Sequence, residues 1–149
     1  MRVGDICNRT VIVTGRDTRL DEAARLMREH HVGSLVVVEE TAAGAKPVGI
    51  VTDRDIVIES VAQGVSPATV TVEEIMAPDL VTAGEGGDAL DTLAKMRLKG
   101  IRRVPVVGAD ATLVGILTLD DYLGVLAEQL DGMVKAIAQE QTREARSRR

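Results

Sequence analysis

An eight-residue phrase occurs twice in this chain, and it constrains the fold more than any other feature. Val48-Gly49-Ile50-Val51-Thr52-Asp53-Arg54-Asp55 returns as Val114-Gly115-Ile116-Leu117-Thr118-Leu119-Asp120-Asp121. Each copy is an apolar run, then a hydroxyl, then a carboxylate three residues later. The likeness extends upstream. Val32-Gly33-Ser34-Leu35-Val36-Val37-Val38 matches Ile101-Arg102-Arg103-Val104-Pro105-Val106-Val107, Met27 matches Met96, and Ile12-Val13 matches Val81-Thr82. Self-similarity over such a length means one supersecondary unit used twice. The offset drops by three residues at Gly49/Gly115. That predicts a longer turn in the first copy, over 39–47, than in the second, over 108–113.

Each unit reads as β-α-β-β-α. A short leading strand (Val11 to Val13; Leu80 to Thr82) precedes a helix with Leu20, Ala23, Ala24 and Met27 on one face. Thr18 with Asp21 reads as its start signal, and Asp88 as that of the second copy. Continuous apolar strands follow (Leu35 to Val38; Val104 to Val107), then second strands (Val48 to Val51; Val114 to Leu117). Closing helices begin near Asp53 and Leu119. Between the copies, Gln63-Gly64-Val65-Ser66-Pro67 is a break. Thr71 to Glu74 is a capping-box start for a helical turn ending at Met76, and Val3 to Cys7 is its degenerate counterpart. The expected division is 1–66 for the first repeat, 67–127 for the second, and 128–149 for a C-terminal helix and basic tail.

In that last segment Leu123, Leu126, Leu130, Met133 and Ile137 alternate three and four residues apart, as in a coiled-coil seam. The stripe either packs onto the protein's own body or meets a second chain. Gly124 and Gly132 weaken the helix, and the polar stretch after Gln141 reads as frayed.

Composition excludes several classes. With no Trp or Phe and Tyr122 the only aromatic, there is no stacking platform for single-stranded nucleic acid. A net charge of −5 disfavours DNA binding through the body. Basic residues gather only at the tail: Arg143, Arg146, Arg148 and Arg149. Cys7 is the single cysteine, which excludes an intrachain disulfide and a cysteine metal cluster. No apolar run approaches the ~20 residues of a membrane span. A cytoplasmic protein is expected, and abundant Arg and Ala hint at a bacterial source.

Thr52-x-x-Asp55 and Thr118-x-x-Asp121 are variants of the helix capping box, with Asp in place of Glu or Gln. Capping explains both without a ligand. A helix start is also an anion site, so cap and ligand contact are compatible. Arg54 and the pair Arg102-Arg103 sit near the strand ends that border the same region, and Arg suits bidentate phosphate recognition. His30-His31 are adjacent on a helix end and diverge, which does not make a metal site. Gly84 to Gly87 lacks the Lys and Ser/Thr of a phosphate loop. Cys7 has no evident neighbouring base.

The duplicated unit, the Gly-Ile-Val-Thr-Asp-Arg-Asp phrase, the Ile75-Met76 turn and the Arg102-to-Val107 strand together resemble a tandem pair of cystathionine-β-synthase (CBS) domains, a Bateman module. The resemblance covers roughly Val3 to Leu126 and implies an α+β fold of two repeats packed with pseudo-twofold symmetry. It implies two clefts for adenosine-containing ligands: AMP, ADP or ATP, or in some members S-adenosylmethionine or NAD. Carried over by position, the second-copy site would use Thr118, Asp121 and Arg103, walled by Val104 and Pro105 and completed by Thr10 and Ile12. The first-copy site would use Thr52, Arg54 and Asp55, completed by Val81 and its neighbours. Asp would take the ribose hydroxyls, and Thr and Arg the phosphate. The copies differ: Ser34 stands where the second has Arg103, and Asp120 where the first has Arg54. Unequal clefts are therefore expected.

The resulting expectation is a non-enzymatic sensor without an obligatory cofactor, homodimeric, acting on an unknown effector protein. Two alternatives stand beside it: an interaction module with empty clefts, and a nucleic-acid-associated regulator using the basic tail.

Overall fold

The structure is a computed structural model that describes residues 1–148. Its elements run α1 (Val3–Ile6), β1 (Val13–Thr14), α2 (Leu20–His30), β2 (Ser34–Thr41), β3 (Gly44–Thr52) and α3 (Asp53–Ile56), then α4 (Val72–Ile75), β4 (Ala83–Gly84), α5 (Ala89–Lys99), β5 (Arg103–Val107), β6 (Leu113–Thr118) and α6 (Leu119–Ser147). β1-β2-β3 and β4-β5-β6 are separate three-stranded sheets of identical order. In each, the leading strand is parallel to the middle one and the last strand antiparallel. This is the α+β architecture the repeat predicts. No described helix is long and apolar enough to cross a membrane.

Equivalent helices stop at equivalent places. α2 ends on His31 and α5 on Gly100, both left-handed, with φ of 53° and 65°. A left-handed residue at a helix end satisfies the last carbonyls and turns the chain into the next strand. In each sheet the middle strand alternates its side chains. Leu35 and Val37 enter one core, Val104 and Val106 the other. Val36 and Pro105, on the opposite faces, are also fully buried, and β3 touches β6. Both sheet faces are thus covered, which is why these strands read as unbroken apolar runs.

Several local expectations need correction. The leading strands are Val13–Thr14 and Ala83–Gly84, one or more residues later than predicted, because only these pair with Val36–Val37 and Val106–Val107. Thr18 does not cap α2, whose N-cap is Arg19. Its hydroxyl accepts from Thr14 Oγ1 at 2.8 Å, and its carbonyl accepts from Val72 N at 2.8 Å. Asp88 does cap α5, accepting from Leu90 N and Asp91 N. Ala24 is exposed, unlike Leu20, Ala23 and Met27. The three extra residues of the first copy do not lengthen a turn. They extend the β2–β3 hairpin, which pairs from Ser34↔Thr52 out to Thr41↔Gly44.

The two short helices are exchanged between the repeats. Val3, Ile6 and Cys7 of α1 and its exit pack in the second core, with Met96, Val104, Val106 and Leu117. Val72, Ile75 and Met76 pack in the first, with Leu20, Leu35 and Val51. Backbone bonds fasten each exchange: Val3 N to Gly87 O, Asn8 N to Ile116 O with its reciprocal, and Leu20 N to Val70 O. Arg9–Glu85 at 3.0 Å and Arg16–Glu73 at 3.3 Å add exposed ion pairs, which solvent screens.

This exchange explains the glycine of the repeated phrase. A Cβ on Gly49 would lie 2.5 Å from Met76 Sδ, and one on Gly115 2.9 Å from both Asn8 O and Cys7 Sγ. Each repeat's strand needs a bare backbone where the other's short helix exits. Gly115→Ala is expected to lower stability by about 1–3 kcal/mol, because backbone must shift. Gly49→Ala should cost less, since a flexible thioether can move aside. Urea melts of both variants test the ordering. The same crowding half-buries Cys7, and burial pushes its thiol pKa up. Only thiolate alkylates quickly, so iodoacetamide should label the native protein far more slowly than the urea-unfolded chain. Equal rates would show Cys7 to be open.

α6 is one unbroken helix of 29 residues with no buried residue. Packing of its stripe onto the protein's own body is therefore ruled out: Leu123, Leu126, Leu130, Met133 and Ile137 are all more than half exposed. Nor does the chain fray at Gln141, since the helix reaches Ser147, with Asp131–Lys135 and Glu144–Arg148 paired one turn apart. Of the basic tail, Arg149 lies outside the described residues.

Candidate functional site

Both Thr-x-x-Asp motifs form reciprocal caps. Thr52 Oγ1 accepts from Asp55 N at 3.1 Å, and Asp55 Oδ2 accepts from Thr52 N at 2.9 Å. In the second copy Thr118 Oγ1 accepts from Asp121 N at 3.2 Å, and Asp121 Oδ2 accepts from Thr118 N at 2.8 Å. Thr118 Oγ1 lies a further 2.9 Å from Asp121 Oδ2. Such a cap is worth about 1 kcal/mol. Only one oxygen of each carboxylate is engaged among the described residues. The free oxygen is the group a ligand hydroxyl can reach.

The surroundings of the two caps differ sharply. Beside Thr52 and Asp55 lies a cavity of about 480 Å³. Its apolar walls are Ile50, Leu80, Val81 and Ile101, and its polar rim carries Arg54, Arg102 and Arg103. The residues come from both repeats. Beside Thr118 there is only a hollow of about 10 Å³, bordered by Arg102, Arg103, Leu119 and Asp120. Pockets that hold small ligands run to about 300–1,000 Å³, so only the first is of ligand size.

The predicted site residues sort accordingly. Thr52, Arg54, Asp55 and Val81 come together as the first-copy reading expects. Arg103, assigned to the second copy, reaches the first-copy cavity as well as the hollow at Thr118. The second-copy set does not assemble. Val104 faces the core of its own repeat, and Pro105 is fully buried. Ile12 packs against the first core, and Thr10 is exposed, its N–H bonded to Asn8 Oδ1. Asp121 lines neither space.

Leu80 enters as a neighbour of Val81, whereas sequence reading missed Asp53, Asp79 and Ile101 as cavity residues. Their adjacency to Arg54, Leu80 and Arg102 was the available signal.

One backbone difference accompanies the asymmetry. Val36 N donates to Ile12 O at 3.1 Å, tying the first leading segment to its sheet. Pro105 holds the matching position in the second repeat and has no N–H to give. The segment through Leu80 and Val81, which borders the large cavity, therefore lacks that tie.

The charged lining is mixed. Arg54, Arg102 and Arg103 stand with Asp53, Asp55 and Asp79, three groups of each sign. No ion pair joins the three arginines to any described residue, so their guanidiniums are open to the phosphate of a ligand. Among the described residues no group of three or more His, Cys, Asp or Glu is placed to hold a metal ion.

Comparison with known proteins fits this geometry. The CBS domain family model matches residues 3–61 and 72–128, its second match ending inside α6. Hypoxic response protein 1 of Mycobacterium tuberculosis is 35% identical over 134 residues, covering 89% of this chain and 91% of that protein. Its crystal structure, with two coordinated zinc ions, gives a TM-score of 0.72 at 33% identity, over 83% of this chain and 97% of that one. An uncharacterized Methanopyrus kandleri protein is 39% identical over 83% of this chain, which spans only 61% of that relative. The CBS domain pair of protein MJ0100, solved with 5′-methylthioadenosine and S-adenosylmethionine, gives a TM-score of 0.74 at 31% identity, over 87% of this chain and 98% of that one.

Proposed function

The chain belongs to the CBS domain family, and from that premise we propose that it is a regulatory module, not an enzyme, that binds one adenine nucleotide in the first-copy cavity. The observation that carries this reading is the meeting of Arg54, Arg102 and Arg103 with Thr52 and Asp55 around one space of ligand size. Adenosine fits between Ile50, Val81 and their apolar neighbours. The free oxygen of Asp55 accepts from a ribose hydroxyl. The guanidiniums take phosphate, so AMP, ADP and ATP suit the site better than S-adenosylmethionine, whose sulfonium adds positive charge. The MJ0100 complex supports an adenosine ligand in this type of fold.

The mechanism follows from where the lining originates. Thr52, Arg54 and Asp55 belong to the first repeat, Arg102 and Arg103 to the second. A bound nucleotide bridges them. It shifts the arrangement of the repeats by as much as it binds one arrangement better than another. An effector protein then reads that arrangement.

Thermal melting with ATP, ADP, AMP, adenosine and S-adenosylmethionine tests the proposal. A nucleotide at 100 times its dissociation constant adds roughly 2.7 kcal/mol. ATP and ADP should raise the melting temperature most and adenosine least, with a stoichiometry of one per chain by calorimetry. No shift with any of them at millimolar concentration sinks the reading in favour of an empty interaction module.

A further inference from the structure

We propose that α6 is an assembly element, pairing antiparallel with α6 of a second copy of this chain. The helix leaves the body with its apolar seam uncovered, and the seam is regular. Leu123, Leu130 and Ile137 fall on one heptad position; Leu119, Leu126 and Met133 fall on the other. Between Leu123 and Ile137 the positions flanking it are Ala127, Gln129, Val134 and Ala136, none of them charged. Uncharged flanks let two helices approach closely. From Leu126 onward every described residue of the helix is exposed, so this part gains nothing from tertiary packing, the usual source of helical stability.

Charge selects the occupant and its direction. From Leu119 to Asp131 the helix carries Asp120, Asp121, Glu128 and Asp131 and no basic residue. From Gly132 to Ser147 it carries Lys135, Arg143 and Arg146 against Glu140 and Glu144. Parallel pairing sets the acidic halves side by side. Antiparallel pairing sets each acidic half beside a half with an excess of base. The acidic half also disfavours an anionic membrane as the occupant.

In an antiparallel pair each heptad position faces the other, so Leu126 lies opposite Leu130, Leu123 opposite Met133 and Leu119 opposite Ile137. Such pairing also carries the far end of each helix to the base of the other. There an apolar groove of about 590 Å³ opens between α5 and α6, lined by Leu90, Leu93, Met96, Ile101 and Leu119 among others. Leu90 is 68% exposed in it. The hydroxyl of Tyr122 donates to Ala89 O at 2.5 Å and fixes α6 against this groove. A standard interface uses about 20–30 residues a side. The seam alone is too small, and the groove adds apolar surface beside it.

The proposal is independent of nucleotide binding and is tested on the full chain. Sedimentation at micromolar concentration should give a dimer, and Leu130→Glu should weaken it by at least about a hundredfold, as for a central hot spot. Leu130 is exposed in the single chain, so the variant should keep the folded body, and circular dichroism should lose at most the helical signal of α6. Orientation is read in a Cys7→Ala background. Leu123→Cys mixed with Met133→Cys should form a mixed disulfide, while neither variant alone should cross-link. A monomeric parent chain, a dimer that survives Leu130→Glu, or a disulfide between two Leu123→Cys chains would overturn the proposal.

Discussion

Val3→Asp is expected to unsettle the second repeat, far along the chain, and to leave the first repeat's core intact. Val3 is fully buried, and its neighbours are Ala83, Met96, Val104, Val106 and Leu117, all of the second repeat. A carboxylate there has no described partner and must either stay charged in an apolar core or take up a proton. Either course costs at least about 3 kcal/mol, out of a total of about 5–15 kcal/mol for a typical domain. Amide hydrogen exchange locates the damage. Protection should fall first in β4, β5, β6 and α5, because these hold the core that loses its lid. Val72→Asp is the mirror experiment, since Val72 is fully buried in the first core, and it should expose β1, β2, β3 and α2. Val61→Asp, at a position 72% exposed, is the control and should stay within about 0.5 kcal/mol of the parent. If Val3→Asp instead speeds exchange in β1–β3 alone, the exchanged arrangement of the short helices is wrong.

Much of this fold is legible in the sequence because its signals are local. The duplicated phrase, the capping boxes at Thr52 and Thr118, the Asp88 cap and the unbroken valine strands all report on residues a few positions apart. The exchange of α1 and α4 is not local. Val3 and Val72 look alike in sequence, and nothing near either says which core it enters. Gly49 and Gly115 were the available trace: a glycine in the same strand position of both repeats marks a close backbone approach, but not by whom. Thr18 misled for a similar reason. A hydroxyl before a helix reads as a cap, and here Val72 from the other repeat takes its carbonyl instead. The candidate site shows the same limit. Thr52 and Asp55 follow from the motif, but Arg103 comes to the first-copy cavity only through the packing of two repeats. Pairing residues by repeat assigned it to Thr118 alone.

Arg103→Glu is expected to abolish nucleotide binding while leaving the melting temperature of the free protein nearly unchanged. The side chain lines the cavity, is half-buried, and forms no ion pair with a described residue, so its loss breaks no internal contact. The substitution leaves Arg54 and Arg102 against four carboxylates, counting the new one with Asp53, Asp55 and Asp79. Binding is what responds. A hydrogen bond to a charged group contributes about 1.5–3 kcal/mol, so Arg103→Ala should weaken ATP by roughly ten- to a hundredfold. Reversal to Glu adds repulsion of phosphate and should exceed that. The loss should be smaller for AMP, smaller again for adenosine, and reduced at high salt, because the lost interaction is with phosphate charge. Asp55→Ala separates the cap from the ligand contact. It should lower stability by about 1 kcal/mol through the broken cap, and it should also erase any preference for ATP over its 2′,3′-dideoxy analogue. Asp121→Ala should cost the same stability and leave nucleotide affinity intact, since Asp121 lines neither the cavity nor the small hollow at Thr118. Equal losses of affinity in Asp55→Ala and Asp121→Ala would mean that the second cleft opens and fills. The asymmetry of the three arginines would then govern strength of binding, not the choice of cleft.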